Sequence, residues 1–352
     1  MNTEHKTLVI LSPGFPADET DSNCMPFPQL FVQTLKQLNP SLNIIVLAFQ
    51  YPFTATEYRW HEVTVIPFNG RNKGKISRLL IWQAVWKQLK KICKENDVLG
   101  ILNFWLGECA LLGKYASKKN NIKNFTWLLG QDAKKNNRYF PLIKPTAESM
   151  IALSDFVAVE FYRNYKIKPV HVIPPGIDTT AFSQKPVQRK IDIMGAGSLI
   201  ALKQYDIFIR VVATLAKQRP GIKALICGDG PELENLQQMI LAHNLSGNIE
   251  LRGELPHQQV LELMRSSTIF LHPSSYEGFA TVLSEALYAG AHVVCFCKPM
   301  ENVFKHQYVV ATETEMINKV SELLNDRSRD HDRIITYPIE ETCRKILSLY
   351  GN

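Results

Sequence analysis

Glu277 and Glu285 stand eight residues apart within TIFLHPSSYEGFATVLSEALYAGAHVVCFC (Thr268–Cys297), and the residues around them give the pair a chemistry. A short apolar run, Ile269 to Leu271, leads into a turn-rich segment, His272 to Gly278. A helical pattern follows from Phe279 to Tyr288, then a stop at Gly290 and a second apolar run to Phe296. That order predicts strand, loop, helix, strand, the unit of a parallel sheet. Eight residues make about two helical turns, so both carboxylates can face the crevice at the strand's carboxyl end. A carboxylate can accept both hydroxyls of a vicinal diol, and the free amides of Phe279, Ala280 and Thr281 favour an anion such as a diphosphate. Diol and diphosphate together describe a nucleotide sugar. Two arbitrary glutamates would more often be a dipole-favoured helix start and an exposed face, so the flanking pattern has to decide.

That pattern is specific. Glu277-Gly278-Phe279 with Glu285, flanked by Pro273-Ser274 and followed by Ala286, resembles the Glu-x₇-Glu motif of glycosyltransferase family 4, retaining enzymes of GT-B fold. Gly197-Ser198-Leu199 with Lys203 resembles the family's Gly-Arg-Leu-x₄-Lys segment, and Gly228-Asp229-Gly230-Pro231 its GDGP turn. Gly253-Glu254-Leu255-Pro256 stands where the family's backbone holds the nucleobase, and Pro174 to Asp178 fits its interdomain segment. Gly130-Gln131-Asp132 resembles a variant of the family's His-Gly-x-Asp. The resemblance implies that Glu285 holds the ribose diol, Glu277 the sugar hydroxyls, and Lys203 the diphosphate. Gly14, Ser198, Glu254, Leu255 and the residues Gly278 to Thr281 would complete the donor site, and Gln131 and Asp132 would serve the acceptor side. Lys203 and Glu277 are the implied catalytic pair. Four departures are visible: Ser198 replaces an arginine, Ala280 a glycine, a lone Gly14 a Gly-Gly pair, and no histidine stands at Gln131. No metal or other cofactor is expected, because a lysine and a helix dipole can offset the leaving diphosphate.

The elements that must hold these residues are those of an α/β chain. Apolar runs at Leu8–Leu11, Ile44–Phe49, Val63–Pro67, Val98–Leu102, Phe125–Leu129, Phe156–Val159 and Val170–Ile173 alternate with helical segments, predicting a doubly wound sheet. At 352 residues two domains are expected. The boundaries read as 1–180 on the acceptor side, 181–336 for the donor, and a terminal helix from 337 that crosses back to the first domain. Ser183 to Arg189 reads as the linker. Gly195-Ala196-Gly197 alone approaches a dinucleotide fingerprint, but no acidic residue ends a second strand about 20 residues on. Between Arg78 and Glu95, Leu79, Trp82, Val85, Trp86, Leu89 and Cys93 recur at helical spacing with lysines opposite, a stripe that fits burial or a membrane surface.

Composition narrows the rest. Residues 1–180 carry 22 Lys/Arg against 14 Asp/Glu, and residues 181–352 carry 18 against 19, so the positive charge lies in the first half. Such patches attract an anionic membrane face or a phosphorylated acceptor, and no nucleic-acid partner is expected. No apolar run approaches the about 18 residues of a membrane span. Seven cysteines without a CxxC pair, and no signal-peptide pattern, imply a reduced, cytoplasmic protein on the inner face of the membrane or free of it. Asp330-His331-Asp332 lies in a charged stretch away from any strand end and reads as a solvated face. Beside a hexosyltransferase of cell-surface polysaccharide or lipopolysaccharide synthesis, two rivals stay open: a sugar-nucleotide-binding protein, and an epimerase or phosphorylase of related fold.

Overall fold

Eight strands form the sheet of the first unit: β1 (Lys6–Gly14), β2 (Asn43–Tyr51), β3 (Tyr58–Trp60), β4 (Val63–Pro67), β5 (Asp97–Phe104), β6 (Lys123–Leu128), β7 (Met150–Ala152) and β8 (His171–Val172). Their order is β3-β4-β2-β1-β5-β6-β7-β8, parallel except for the β3/β4 pair. Leu8 to Leu11 and Ile44 to Phe49 are buried throughout, as strands covered on both faces must be. The helices are α1 (Pro26–Leu38), α2 (Lys75–Glu95), α3 (Glu108–Asn120), α4 (Phe140–Ile143) and α5 (Asp155–Tyr165). The computed structural model describes residues 6–21 and 24–351.

The second unit is a six-stranded sheet, parallel throughout, with order β11-β10-β9-β12-β13-β14. In chain order its elements are β9 (Ile191–Ala196), α6 (Tyr205–Ala216), β10 (Ala224–Cys227), α7 (Leu233–Ala242), β11 (Ile249–Leu251), α8 (His257–Arg265), β12 (Ser267–His272), α9 (Thr281–Tyr288), β13 (His292–Cys295), β14 (Gln307–Val309) and α10 (Glu313–Asn325). The period-2 alternation of strands sorts its side chains. Ile193, Ile226, Ile269 and Leu271 pack with α6, α7 and α10 on one face, and Met194, Leu225 and Phe270 with α8 and α9 on the other. Each fully buried Leu, Ile or Phe contributes about 1.5–3 kcal/mol. The chain winds outward from β9 in one direction and from β12 in the other, so the crevice of this sheet opens at the carboxyl ends of β9 and β12.

The break between the units falls at Gly176/Ile177, and residues 339–352 belong with 1–176. Helix α11 (Ile339–Ser348) packs on α1, where Thr342 Oγ1 donates to the Pro174 carbonyl at 2.9 Å. The Tyr350 hydroxyl, just beyond, donates to the Ile101 carbonyl. Ser183 to Arg189 is no linker but part of the second unit: the carbonyls of Ser183 and Lys185 accept from Arg333 and Arg265.

Two local readings are corrected. Phe156–Val159 is not a strand but the first turn of α5, because Ser154 Oγ accepts from the Val157 amide and caps the helix. Val157, Ala158 and Phe161 are buried at helical spacing, whereas Val159 is 57% exposed. In α2 the buried face is Val85, Leu89 and Ile92; Leu79, expected in that stripe, is out in solvent with Ile76 and Leu80.

Three loops at the carboxyl ends of β9, β10 and β11 lie against one another. The Gly197 amide donates to the Cys227 carbonyl at 3.0 Å, the Leu199 amide to Asp229 at 2.8 Å, and the Gly228 amide to Gly253 at 2.8 Å. Gly228 has φ +147°, and a Cβ there would stand 1.9 Å from the Gly197 carbonyl oxygen. We predict that Gly228→Ala costs about 2–4 kcal/mol, lowering Tm by several degrees in a thermal-unfolding scan. An unchanged Tm would refute the close packing of these loops.

Candidate functional site

Glu277 follows β12 in a loop that bends back over β9. The amide of Ser275 and the hydroxyls of Ser274 and Ser275 all donate to the Leu202 carbonyl, at 3.0 to 3.3 Å. Leu202 sits in a 3₁₀ turn, Ala201–Lys203, so this tie sets Lys203 beside Glu277. Lys203 Nζ donates to Glu277 Oε1, and His272 Nε2, from the last residue of β12, lies 2.9 Å from the same oxygen. The three side chains are 19%, 11% and 2% exposed, and Oε2 of Glu277 makes no hydrogen bond among the described residues.

A carboxylate so enclosed is stable only when charge and hydrogen bonds replace water. Burial pushes the Glu277 carboxyl up, but the hydrogen bond and charge of His272, with those of Lys203, more than reverse it and hold the group at about 2. Burial pulls His272 down, and its contacts with Cys297 and Glu277 outweigh that and leave it raised.

Around this contact lies a cleft of about 590 Å³. Its walls are Ala196 to Ser198 and Lys203 at and beyond the end of β9, Cys227 to Asp229 at and beyond the end of β10, and Glu254, Leu255, His257 and Val260. Glu277, Ala280 to Val282 and Glu285 close it. Helix α9 starts at Thr281, so the amides of Thr281 and Val282 are first-turn donors without intrahelical partners, and both residues line the cleft. The Leu283 amide already donates to Ala280. Glu285, in the second turn, is 15% exposed, and its Oε1 lies 2.9 Å from His257 Nε2. That contact raises the histidine above its ordinary value.

Of the expected donor residues the structure therefore brings together Ser198, Lys203, Glu254, Leu255, Glu277, Ala280, Thr281 and Glu285. Phe279 is different. Its ring is buried against Tyr337, 5.6 Å between centroids, and neither it nor Gly278 lines the cleft. Ala280 sits at φ 62°, left-handed backbone that glycine adopts without a Cβ penalty and that costs alanine roughly 1 kcal/mol. His272, His257 and Tyr205 were not singled out from sequence. The Tyr205 hydroxyl is buried without a hydrogen-bond partner among the described residues, 3.3 Å from where a Cβ on Gly197 would stand.

Three expected residues lie in the first unit. Gly14 is not in an open loop: it ends β1 opposite Tyr51 and is packed against Met25 and Tyr51. Asp132 is turned inward, its carboxylate taking the amides of Leu106 at 2.9 Å and Gly130 at 3.1 Å, so it organises its loop and offers no free oxygen pair to an acceptor. Burial raises it to about 6 against the pull of those amides. Gln131 is exposed. Asp330 and Asp332 of the DxD pair with Lys305, and no metal-ligand cluster occurs among the described residues.

Known proteins share this fold. Residues 177–339 match the family model described as glycosyl transferases group 1. The GPI3 subunit of phosphatidylinositol N-acetylglucosaminyltransferase from Saccharomyces cerevisiae is 26% identical over 191 residues, 51% of this chain and 42% of that protein. The chain thus spans less than half the length of that relative. Among solved structures, a glycosyltransferase from Rickettsia africae superposes with TM-score 0.75 at 16% identity, covering 99% of this chain and 98% of the other. Anabaena HepE in complex with UDP and glucose gives TM-score 0.68 at 15% identity, covering 98% and 95%. These likenesses establish the fold as GT-B, with two Rossmann-like units.

The charge pairing around Glu277 makes a pH prediction. A carboxyl lowered on folding contributes stability that is complete above its unfolded value of 4.5 and is lost as pH falls toward about 2. A raised His272 contributes below 6.5, and its share is lost as pH rises through its folded value. The Tm gap between native protein and Glu277→Gln should therefore be widest between pH 4.5 and 6.5 and narrow on both sides. A gap constant across that range and below it would contradict the pairing.

Proposed function

We propose that the chain, whose residues 177–339 belong to the glycosyl transferases group 1 family, is a retaining hexosyltransferase. It takes its sugar from a nucleotide diphosphate and delivers it to a saccharide or lipid-linked acceptor in cell-surface glycan synthesis. The observation that carries this reading is the contact of Lys203 and His272 with one oxygen of Glu277, at the edge of a cleft that Thr281 and Val282 of the first turn of α9 also line.

In this reading the diphosphate lies against the amides of Thr281 and Val282, where the helix dipole favours an anion. Lys203 moves from Glu277 to the phosphate as the glycosidic bond breaks and offsets the developing charge. Glu277 is not stranded by that move, because His272 still holds Oε1, and Oε2 is free to accept sugar hydroxyls. Glu285 accepts the ribose diol, and the backbone at Glu254 and Leu255 meets the base. The leaving phosphate oxygen takes the acceptor's proton on the same face, which gives retention without a protein base. Lysine and amides together offset the diphosphate, so activity should survive EDTA. UDP and GDP sugars are the first donors to try, since UDP occupies the HepE structure.

The acceptor side belongs to the first unit, whose basic helix α2 exposes Ile76, Leu79 and Leu80 near Arg71 and Lys73. This end fits contact with an anionic membrane face. No helix among the described residues is long and apolar enough to cross one.

Lys203→Ala is predicted to lower donor turnover roughly 10²–10³-fold while acceptor KM changes little. Steady-state kinetics with the preferred donor checks this, and equal turnover would remove Lys203 from the chemistry. A protein that binds the donor tightly but neither transfers nor hydrolyses it would be the sugar-nucleotide-binding protein instead.

A further inference from the structure

A second cavity of about 660 Å³ lies in the same unit, lined among others by Lys185, Arg189, Arg265, Arg329, Arg333 and His331. No Asp or Glu among the described residues lines it. Residues 181–352 carry 18 Lys/Arg against 19 Asp/Glu, so five cations around one cavity are a local concentration and not a sample of a basic surface. Arg189 stands two residues before β9 and donates to the carbonyl of Ser267, the first residue of β12, which puts the cavity at the amino-terminal edge of the sheet. The donor cleft is at the opposite edge, about 20 Å away for strands of six residues.

The guanidiniums are held in place. Arg189 also donates to the Ala289 carbonyl at 2.8 Å, Arg333 to Gln184 Oε1 at 2.8 Å and the Ser183 carbonyl at 2.6 Å, and Arg329 to the Leu323 carbonyl at 3.0 Å. Carbonyls fix a guanidinium's geometry without neutralising its charge. Among the described residues only Arg265 of this group meets a carboxylate, Glu262 Oε2 at 2.6 Å. Burial first, and then the charges of Arg265, Arg329 and Arg333, lower Arg189 to about 10. Arg329 Nε is buried with no hydrogen-bond partner among the described residues. Like charges gathered in a concave site, with donors unspent, are stabilised by a multivalent anion, and guanidiniums suit phosphate oxygens.

We propose that this cavity is a binding site for a small phosphorylated compound carrying at least two negative charges, separate from the donor cleft and independent of the hexosyltransferase reading. Its volume lies within the range of small-molecule sites and exceeds what one inorganic phosphate fills. Helix α9 runs between the two sites, with Thr281 at the cleft and the Ala289 carbonyl beside the cavity.

Inorganic pyrophosphate is the probe, titrated calorimetrically into the full chain near physiological salt, into Lys203→Ala to weaken the donor cleft, and into Lys185→Glu. The Lys185 side chain is exposed, and its carbonyl, which takes Arg265, remains in the variant, so the fold is preserved. Arg333→Gln is the second variant, with circular dichroism reporting its fold. Binding that persists in Lys203→Ala and weakens at least tenfold in Lys185→Glu and in Arg333→Gln establishes the site. Binding lost in Lys203→Ala but unaltered in the cavity variants places pyrophosphate in the donor cleft and overturns the proposal, as does no binding to the native chain.

Discussion

One largely enclosed carboxylate governs the second unit. Glu277 is 11% exposed, and an ionised group so enclosed is tolerable only with partners that a low dielectric makes strong. Its two partners come from different segments: Lys203 from the turn after β9, His272 from the end of β12. Meeting Glu277 therefore requires the loops after the two strands at the switch point to close on each other, and the Leu202 carbonyl, taking three donors from Ser274 and Ser275, locks them together. With Lys203 and His272 both on Oε1, Lys203 can turn to an anionic ligand without leaving the carboxylate unpaired.

The same economy of space shapes the neighbouring loops. Gly197, Gly228 and Gly253 bring three backbones into mutual hydrogen bonding, leaving no room for side chains between Gly228 and Gly197. The surface they make is backbone, with Ser198 the exposed side chain beside it. Ala280 tells the converse story: it takes a left-handed conformation that suits glycine, and the strain is borne where α9 must begin close to the cleft.

Much of this was legible in the sequence because the motifs are local. Glu277 and Glu285 lie on one loop-helix segment, and Ser198 and Lys203 on another, so spacing alone carries their relation. What sequence could not supply were partners set by folding. His272 read as the opening of a turn, although the last residue of a buried strand points at the crevice and stands five residues before Glu277. His257 meets Glu285 only because α8 packs beside α9. Asp132 looked like a cleft residue by its place after β6, but an aspartate whose oxygens find two nearby amides turns inward. Phe156–Val159 misled for a similar reason: four apolar residues fit a strand until the Ser154 cap is seen. The arginine cavity draws on positions from 185 to 333, which no window of sequence joins.

The central claim is that the cleft between the β9 and β12 loops takes a nucleotide diphosphate against Lys203 and the start of α9. Hydrogen–deuterium exchange with and without UDP tests it most directly, since backbone amides are the proposed ligands. The account predicts slowed exchange confined to Gly197–Lys203, Gly253–Leu255 and Gly278–Leu283, with little change in the first unit's sheet. Protection elsewhere, with these three segments unaltered at saturating UDP and GDP, would contradict it.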